Sequence, residues 1–284
     1  MLKGKFFSPF ESHSPQGNFG KRGMHEQFIP FSALILQKGE ERIAKSFLDN
    51  RVGASISNGH LYGKCEDAGF VLCRGDGNIY LGVFDGVSGN RYGDFASRTF
   101  ARETMRHISG GTPVGAALEL SEAALCKTGK WKSAPQRRKP ACTMLVAEIA
   151  PSGAAEITWL GDSFALALTD TNSSMKARQL TVPHEAFWNM RASETDSATI
   201  TLGKADRLLL ASDGLDFFSK KEIWLEAFSY NNMWWPANNL IKLAEDRSNT
   251  GNTGIREMKV RTDSFDNKSI GTPDDRIAII YRHE

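Results

Sequence analysis

Four aspartates stand at the edges of short apolar runs, where a carboxylate could do chemistry: Asp67, Asp85, Asp213 and Asp274. Any one of them alone is typical of a turn, so only the set of four indicates a site. A single core could bring all four strand edges together. Like charges do not gather without a counterion, because a lone carboxylate at the mouth of a core is costly to desolvate. We therefore expect the four side chains to share bound cations.

The expected cation is Mg²⁺ or Mn²⁺. These ions take carboxylates, backbone carbonyls and water as ligands, whereas zinc more usually recruits His or Cys. Glycine directly follows Asp85 and Asp213, and it lets the backbone approach an ion closely. The four cysteines show no CxxC spacing and the six histidines form no close pair. Neither a zinc site nor a disulfide framework is therefore predicted, and a reducing compartment fits best.

Short apolar segments bounded by turn residues are expected to carry these aspartates. Asp85 ends the run Ile79 to Phe84, which is uncharged on both of its alternating faces, as in a strand buried on both sides. A helix over residues 112–127 is predicted to be capped by Thr112, with Pro113 in the first helical position. Many strands with paired helices and no regular βαβ alternation indicate a sheet-rich α+β domain. Strands are predicted over residues 69–73, 79–84, 143–149, 155–160, 164–168, 207–212 and 276–281, and helices over 92–107, 112–127, 220–230 and 236–246.

Length and composition are those of an ordinary globular protein. The 284 residues, 40% of them hydrophobic, predict one domain over residues 51–284 after an N-terminal extension over residues 1–50. A net charge of +2 is too small to predict a specific nucleic-acid partner. The apolar run 28–36 is broken by Pro30 and is far shorter than the roughly 20 residues of a membrane helix, so no membrane span is expected. The extension is basic and poor in acids, which fits either a targeting segment or an ordinary flexible tail.

A basic segment over residues 127–139 surrounds Trp131. Such a run is usually a solvated loop, and the alternative interpretation is a docking surface for an acidic or phosphorylated partner. Its basic residues are Lys127, Lys130, Lys132, Arg137, Arg138 and Lys139.

Five motifs carry a family resemblance: VFDGVSG, TMLVAEI, LGDSFALAL, LASDGLDFF and PDDRIAII. In order and approximate spacing they resemble the metal-dependent protein phosphatase 2C family (PPM), over about residues 52–282. The DGVSG form, the preceding EDA and the final PDD look most like the branch whose motif reads DGVGG. Many members of that branch work in mitochondria or plastids, so the resemblance implies a mitochondrial location, with the cytoplasm as the alternative.

The resemblance implies a central β-sandwich of two mainly antiparallel sheets, flanked by helices on both faces, with two divalent ions in a cleft at one end. Carried over by position, Asp85 would bridge the two ions and Gly86 would give its carbonyl. Asp213 and Asp274 would bind a metal on the other side. Asp275 matches a position that is more often Asn, so Asp274 is predicted as the ligand and Asp275 as its neighbour.

Further acids and one histidine match family positions. Glu66 and Asp67 match the acidic pair that holds metal-bound waters. Asp162, in GDS, matches an acid that in some members helps to bind a third, weaker ion. His184 corresponds to a segment near LTxDH in the family and is interpreted as structural.

The implied function is a metal-dependent serine/threonine protein phosphatase, with Asp85 and Asp213 as the catalytic pair and a phosphorylated protein as the substrate. Two metal ions would activate a water for in-line attack on the phosphoester and stabilise the charge on the phosphoryl oxygens. No phosphoenzyme is then required.

The chain also departs from the family pattern. Val87 stands where many members have a His that is a proposed general acid, and Val cannot transfer a proton. Tyr62 stands where many members have a phosphate-binding Arg, and Lys64 is the nearby candidate to replace it, as a point charge without a bidentate fork. The alternative function is therefore a catalytically weak or inactive phosphatase-fold protein that acts as a phosphoprotein-binding adaptor or complex subunit. Trp234 and Trp235 would then be either its partner anchor or ordinary core residues.

Overall fold

The structure, a computed structural model, describes residues 32–34, 43–48, 50–57, 65–87, 92–135, 139–171, 174–184, 191–215, 218, 220–249 and 275–284. Its strands are β1 Ser32–Leu34, β2 Ile43–Phe47, β3 Val52–Ser57, β4 Ala68–Cys73, β5 Ile79–Phe84, β6 Met144–Ile149, β7 Ala154–Leu160, β8 Phe164–Thr171, β9 Ser174–Gln179, β10 Asp196–Thr201, β11 Arg207–Ala211 and β12 Arg276–Arg282. Its α-helices are α1 Gly93–Ser109, α2 Val114–Lys127, α3 Gly129–Ser133, α4 Lys220–Phe228 and α5 Trp234–Asn249. Short 3-10 helices cover Ala192–Glu194 and Asp213–Leu215.

The strands form two six-stranded sheets. The first sheet has the order β1-β4-β5-β6-β7-β10, and the second has the order β2-β3-β12-β11-β8-β9. Each strand pairing between the described residues is antiparallel. The predicted sandwich of two antiparallel sheets with helices on both faces is confirmed.

Three apolar layers hold the sandwich together. The central layer lies between the sheets and includes Val83, on β5, and Ile279, on β12. A second layer joins the outer face of the first sheet to α1 and α2, where the rings of Phe84 and Phe100 stack with centroids 6.1 Å apart. A third layer joins the second sheet to α4 and α5. Strand β5 is buried along its whole length because it contributes side chains to two of these layers, as its sequence predicted.

The antiparallel order brings several chain connections to one end of the sandwich. The first residue of β4 pairs with the last residue of β5, and the first residue of β6 pairs with the last of β7. In the second sheet, the last residue of β11 pairs with the first residue of β8. The turn between β7 and β8 lies at this end and carries the chain from the first sheet to the second. The aspartates that precede or follow these strands therefore meet at one edge.

Some predicted boundaries differ from the structure. Helix α2 begins at Val114, and Pro113 is its N-cap residue with an extended ψ of 151°. The predicted cap by Thr112 was therefore wrong, and no side-chain hydrogen bond caps this end. Strands β9 and β10 were missed because their sequences are polar and largely exposed, as suits the outer edges of the sheets. Strands β1 and β2 lie within residues 1–50 and pair with β4 and β3, so the sandwich includes strands before residue 51.

The basic segment is partly helical. Helix α3 occupies residues 129–133, and the hydroxyl of Thr128 caps it by accepting a hydrogen bond from the amide of Trp131 at 3.2 Å. The ammonium of Lys130 lies 4.1 Å from the ring centroid of Phe95. The ammonium of Lys139 donates to the carbonyl of Trp131 at 2.6 Å. Two of the basic side chains are therefore engaged within the protein, while Arg137 and Arg138 lie outside the described residues.

No α-helix within the described ranges combines the length and the apolar character needed to cross a membrane.

Candidate metal centre

Three carboxylates meet at the end of the sandwich where the connections gather. Asp85 follows β5, Asp162 lies in the turn between β7 and β8, and Asp213 begins the 3-10 helix after β11. Each offers one carboxylate oxygen, and these oxygens all lie within 4.8 Å of one another. All three residues are partly buried. Three oxygen ligands at this spacing, with neither His nor Cys in the group, suit Mg²⁺ or Mn²⁺.

Thr143 fixes the backbone of Asp85. Its hydroxyl accepts a hydrogen bond from the Asp85 amide at 2.9 Å, and its own amide donates to the Asp85 carbonyl at 2.7 Å. The same hydroxyl lies 2.7 Å from the hydroxyl of Ser163. Thr143 and Ser163 are almost fully buried. Because Ser163 directly follows Asp162, one pair of hydroxyls links the backbones that carry two of the three carboxylates.

Gly86 packs where no side chain could fit. Its amide donates to the carbonyl of Glu66 at 3.1 Å. A Cβ at Gly86 would lie 2.5 Å from the backbone carbonyl carbon of Gly93 and 2.7 Å from the carbonyl oxygen of Glu66. The segment after Asp85 therefore packs between the residues that precede β4 and the first residue of α1. This close approach is the physical reason for the glycine in the Asp-Gly pair.

Glu66 joins three parts of the site through its backbone. Its carbonyl accepts hydrogen bonds from the Gly86 amide and from the hydroxyl of Ser97, on α1. Its amide donates to the carboxylate of Asp275, directly before β12. The side chains of Glu66 and Asp275 are mostly buried, and Asp67 is completely buried. Asp275 thus lies beside the acidic pair, and its carboxylate binds the backbone there.

The charges around this acidic pair affect the neighbouring thiol. Burial raises the pKa of Cys65 far above its usual value, and the negative charges of Asp67 and Asp275 raise it further. Arg98, whose guanidinium donates to the Cys65 carbonyl at 3.3 Å, acts in the opposite direction but does not reverse the change in pKa. The thiol therefore stays protonated at neutral pH, and thiolate chemistry does not belong to this site.

The end of β11 is tied to the start of β12. The Ser212 hydroxyl accepts a hydrogen bond from the Ile277 amide at 3.1 Å, and the Ser212 amide donates to the Ile277 carbonyl at 3.2 Å. A Cβ at Gly214 would overlap the carbonyl oxygen of Asp275. Asp213 therefore lies between two residues that contact the start of β12, at Ile277 and Asp275.

The structure places the predicted site residues in three groups. It brings Asp85, Asp162 and Asp213 together, although Asp162 was expected to serve only a weaker ion. It places Glu66 against Gly86, the residue after Asp85, through the backbone contact described above, and Asp67 follows Glu66 as a fully buried residue. Asp274, Lys64 and Tyr62 lie outside the described residues.

Several supporting residues were not predicted. Thr143, Ser163 and Ser97 hold the site through hydroxyl groups, and Gly93 allows α1 to approach the Asp-Gly segment. A hydroxyl or a glycine at the edge of an element has many ordinary roles, so one sequence offers no signal for these. Val87 was noted only as a departure; its amide donates to the Ala141 carbonyl at 3.0 Å.

Comparisons with known proteins find one family and several solved structures that this chain resembles. A family model described as "Protein phosphatase 2C" matches residues 57–242. A mutant form of a bacterial serine phosphatase is 18% identical, with a TM-score of 0.64, over 84% of this chain and 100% of that chain. The serine/threonine phosphatase PstP/Ppp of Mycobacterium tuberculosis is 20% identical, with a TM-score of 0.61, over 82% and 98%. RsbX in complex with magnesium is 12% identical, with a TM-score of 0.59, over 85% and 100%. No curated protein sequence gives a significant match.

Proposed function

Because the chain belongs to the protein phosphatase 2C family, we propose that it is a metal-dependent serine/threonine protein phosphatase that hydrolyses phosphoesters of phosphorylated proteins. The observation that supports this proposal most directly is the approach of the Asp85, Asp162 and Asp213 carboxylate oxygens to within 4.8 Å of one another. Such a group of like charges is stabilised by cations, and phosphoryl transfer is a reaction that divalent cations assist.

We propose that the site would hold two divalent ions. Asp85, the Gly86 carbonyl, Asp213 and Asp274 would hold them, with Asp85 shared between the two ions. Asp162 is close enough to Asp213 to help bind a further, weaker ion. When bound, Mg²⁺ or Mn²⁺ would lower the pKa of a water molecule and neutralise charge on the phosphoryl oxygens. A structural neighbour, RsbX, is described with magnesium, in line with this choice of ion.

The protein's own part in the reaction is to hold these carboxylates in place. Asp85 cannot move far, because both of its backbone polar groups bind the buried Thr143. Glu66 and Asp67, whose side chains are buried, would accept hydrogen bonds from metal-bound water. Val87 supplies no proton, so the leaving group would take its proton from water or from another group. Catalysis would then depend on position and electrostatics.

Three finer assignments belong to the same proposal. Lys64 is proposed as a point charge for the substrate phosphate. The DGVSG motif supports membership of the DGVGG branch, and with it a mitochondrial location. The basic segment 127–139 is proposed as a surface for an acidic partner, to which Lys127 and Lys132 remain exposed or partly exposed.

The test is hydrolysis of p-nitrophenyl phosphate and of a phosphothreonine peptide, with and without Mn²⁺. We expect Mn²⁺-dependent turnover in the unmodified protein and its loss in Asp85→Asn and Asp213→Asn. Asp76→Asn is the matched control, because it is the same substitution at a different place. Asp76 lies in the exposed turn between β4 and β5, at the far end of β5 from the site.

An inactive protein would contradict the proposal. If the folded, unmodified protein showed no turnover above that of Asp85→Asn, the phosphatase proposal would be wrong. The adaptor function would then be the one to test, beginning with the exposed ring of Trp235, which stacks on Tyr230 with centroids 6.0 Å apart.

A further inference from the structure

Residues 180–184 run beside the turn that carries Asp162. The Leu180 amide donates to the carbonyl of Ala165 at 2.9 Å, and the Ala165 amide donates to the hydroxyl of Thr181 at 3.2 Å. The indole of Trp159 donates to the carbonyl of Val182 at 2.9 Å. This segment, which has no regular secondary structure, is therefore fixed to the end of β7 and the start of β8, on both sides of the turn.

His184, at the end of the segment, binds both backbone polar groups of Gly161. The Gly161 amide donates to Nδ1 of the His184 ring at 3.1 Å. The His184 amide donates to the Gly161 carbonyl at 3.0 Å. Gly161 is the residue directly before Asp162, so its position determines where the aspartate side chain starts.

The imidazole ring is itself held from two sides. It stacks on Trp159 with ring centroids 6.4 Å apart and 27° between the planes. Its Nε2 lies 3.1 Å from a carboxylate oxygen of Asp196, the first residue of β10. Because Nδ1 accepts a hydrogen bond from Gly161, the proton of the neutral ring belongs on Nε2, where it is donated to Asp196. Both ring nitrogens therefore have defined partners, which fixes the orientation of the ring.

Gly161 is confined on its other side as well. It adopts a φ of 110°, a conformation that favours glycine, and a Cβ there would lie 2.8 Å from the Cγ2 of Thr143. The turn thus lies between Thr143, which also holds Asp85, and His184. Without the imidazole, the Gly161 amide would lose its acceptor, and the backbone hydrogen bond from residue 184 would remain on that side.

We propose that His184 is a positioning residue for the metal centre: by binding Gly161, it sets the place of the Asp162 carboxylate relative to Asp85 and Asp213. This inference rests on the proposed function in so far as the three carboxylates bind divalent ions. It replaces the interpretation of His184 as merely structural, because the contact is made to the residue next to a proposed ligand. Partners that orient metal ligands typically change metal affinity or activity by about 10- to 100-fold when they are removed.

The experiment compares two substitutions at His184 that keep different parts of the ring's hydrogen bonding. In His184→Asn, the amide oxygen takes the place of Nδ1 and can still accept from the Gly161 amide. In His184→Gln, the side-chain amide reaches the place of Nε2, so the Gly161 amide loses its acceptor, while the backbone hydrogen bond from the amide of residue 184 to the Gly161 carbonyl remains. Titration with Mn²⁺ itself, followed by the electron paramagnetic resonance of the free ion, measures affinity without any need for turnover.

We expect His184→Gln to weaken Mn²⁺ binding by about 10- to 100-fold, and His184→Asn to stay close to the unmodified protein. If His184 acts through Asp162, adding His184→Gln to Asp162→Asn should cause little further loss, because coupled sites are not additive. A purely structural role would lower the melting temperature of both single and double variants and would leave the two substitutions additive in metal affinity.

Several outcomes would overturn the proposal: unchanged Mn²⁺ affinity in His184→Gln, equal losses in the Gln and Asn variants, or additivity with Asp162→Asn. If His184→Gln does not fold, Asp196→Ala is the variant to test. It removes the exposed carboxylate that holds Nε2 of the ring, and unchanged Mn²⁺ affinity in this variant would overturn the proposal. Failure of the proposed function is distinguishable. A protein that binds Mn²⁺ with the expected dependence on His184 but hydrolyses no phosphoester refutes the phosphatase alone, whereas one without Mn²⁺ affinity refutes both.

Discussion

Replacing Gly86 by alanine should damage both the fold and the metal centre. The added Cβ would lie 2.5 Å from the carbonyl carbon of Gly93, 2.6 Å from its oxygen and 2.7 Å from the carbonyl oxygen of Glu66. Carbon atoms rest at about 3.5–4.0 Å from each other, so the neighbouring backbone must move by about 1 Å. These atoms belong to the backbone at the start of α1 and before β4. Rotation of a side chain therefore cannot relieve the overlap.

The expected cost follows from what must move. Helix α1 is anchored in the apolar layer of the first sheet by Phe100 and Ile108, both almost fully buried, so a shift at its first residue disturbs that packing. Overpacking of this kind typically destabilises a protein by about 1–3 kcal/mol. For a domain of this size, each kcal/mol lowers the melting temperature by about 2–4 °C. The Gly86 carbonyl would move with the backbone, so Mn²⁺ affinity should fall in parallel.

Gly115→Ala is the matched control. Gly115 lies near the start of α2, and a Cβ there would meet no atom within 4 Å. Because alanine favours helix over glycine, we expect Gly115→Ala to gain up to about 1 kcal/mol and to leave Mn²⁺ affinity unchanged. Urea unfolding and Mn²⁺ titration measure both quantities on both variants. The packing argument would be refuted if Gly86→Ala were as stable as the unmodified protein.

Three further predictions concern the groups that surround the carboxylates. Thr143→Val should cost about 1–3 kcal/mol in urea unfolding, because the partly buried Asp85 amide and the buried Ser163 hydroxyl both lose a partner, whereas Thr143→Ser should keep most of the stability; equal losses would contradict this argument. Asp275→Asn retains an oxygen that can accept from the Glu66 amide, so its free energy of unfolding should stay near that of the unmodified protein. Asp275→Ala should lower that free energy by about 1–3 kcal/mol, and thermal melts can check this ranking. Burial and neighbouring negative charges raise the pKa of the Cys65 thiol, so iodoacetamide should label Cys73 and Cys126 in the native protein before Cys65; early modification of Cys65, seen by mass spectrometry, would show the thiol to be accessible and ionised.

The sequence predicted the central strands, and all three carboxylates that meet were among its candidate ligands, Asp162 through the family resemblance alone. Asp85 and Asp213 were recognisable because each ends an apolar strand and precedes a glycine, a local pattern that can be read from neighbouring residues. The bounds of β5 were predicted accurately for the same reason: the strand is apolar throughout and lies between polar turns, so neighbouring residues show where it begins and ends. Edge strands such as β9 and β10 lack this pattern, since their exposed faces tolerate polar residues.

The supporting contacts were beyond prediction because they depend on the register of distant strands. The hydroxyl of Thr143 meets the Asp85 amide across 58 positions of sequence. The ring of His184 meets Gly161 across 23 positions, and it does so from a segment without regular secondary structure. Neither contact leaves a periodic pattern in the chain. The proximity of Asp162 to the other two aspartates, which only the family resemblance indicated, also depends on distant strands, since the turn that carries Asp162 connects one sheet to the other.

The position of β12 has a consequence for the synthesis of the protein. In the second sheet β12 lies between β3 and β11, and its first residue pairs with Ser57. As the chain leaves the ribosome, β3 cannot pair with β12 until nearly all of the described domain has been translated. Pairings between such distant segments are slow to form and leave strand edges exposed to aggregation. The nascent protein would therefore depend on chaperones through most of its translation, even though its first sheet could already be complete.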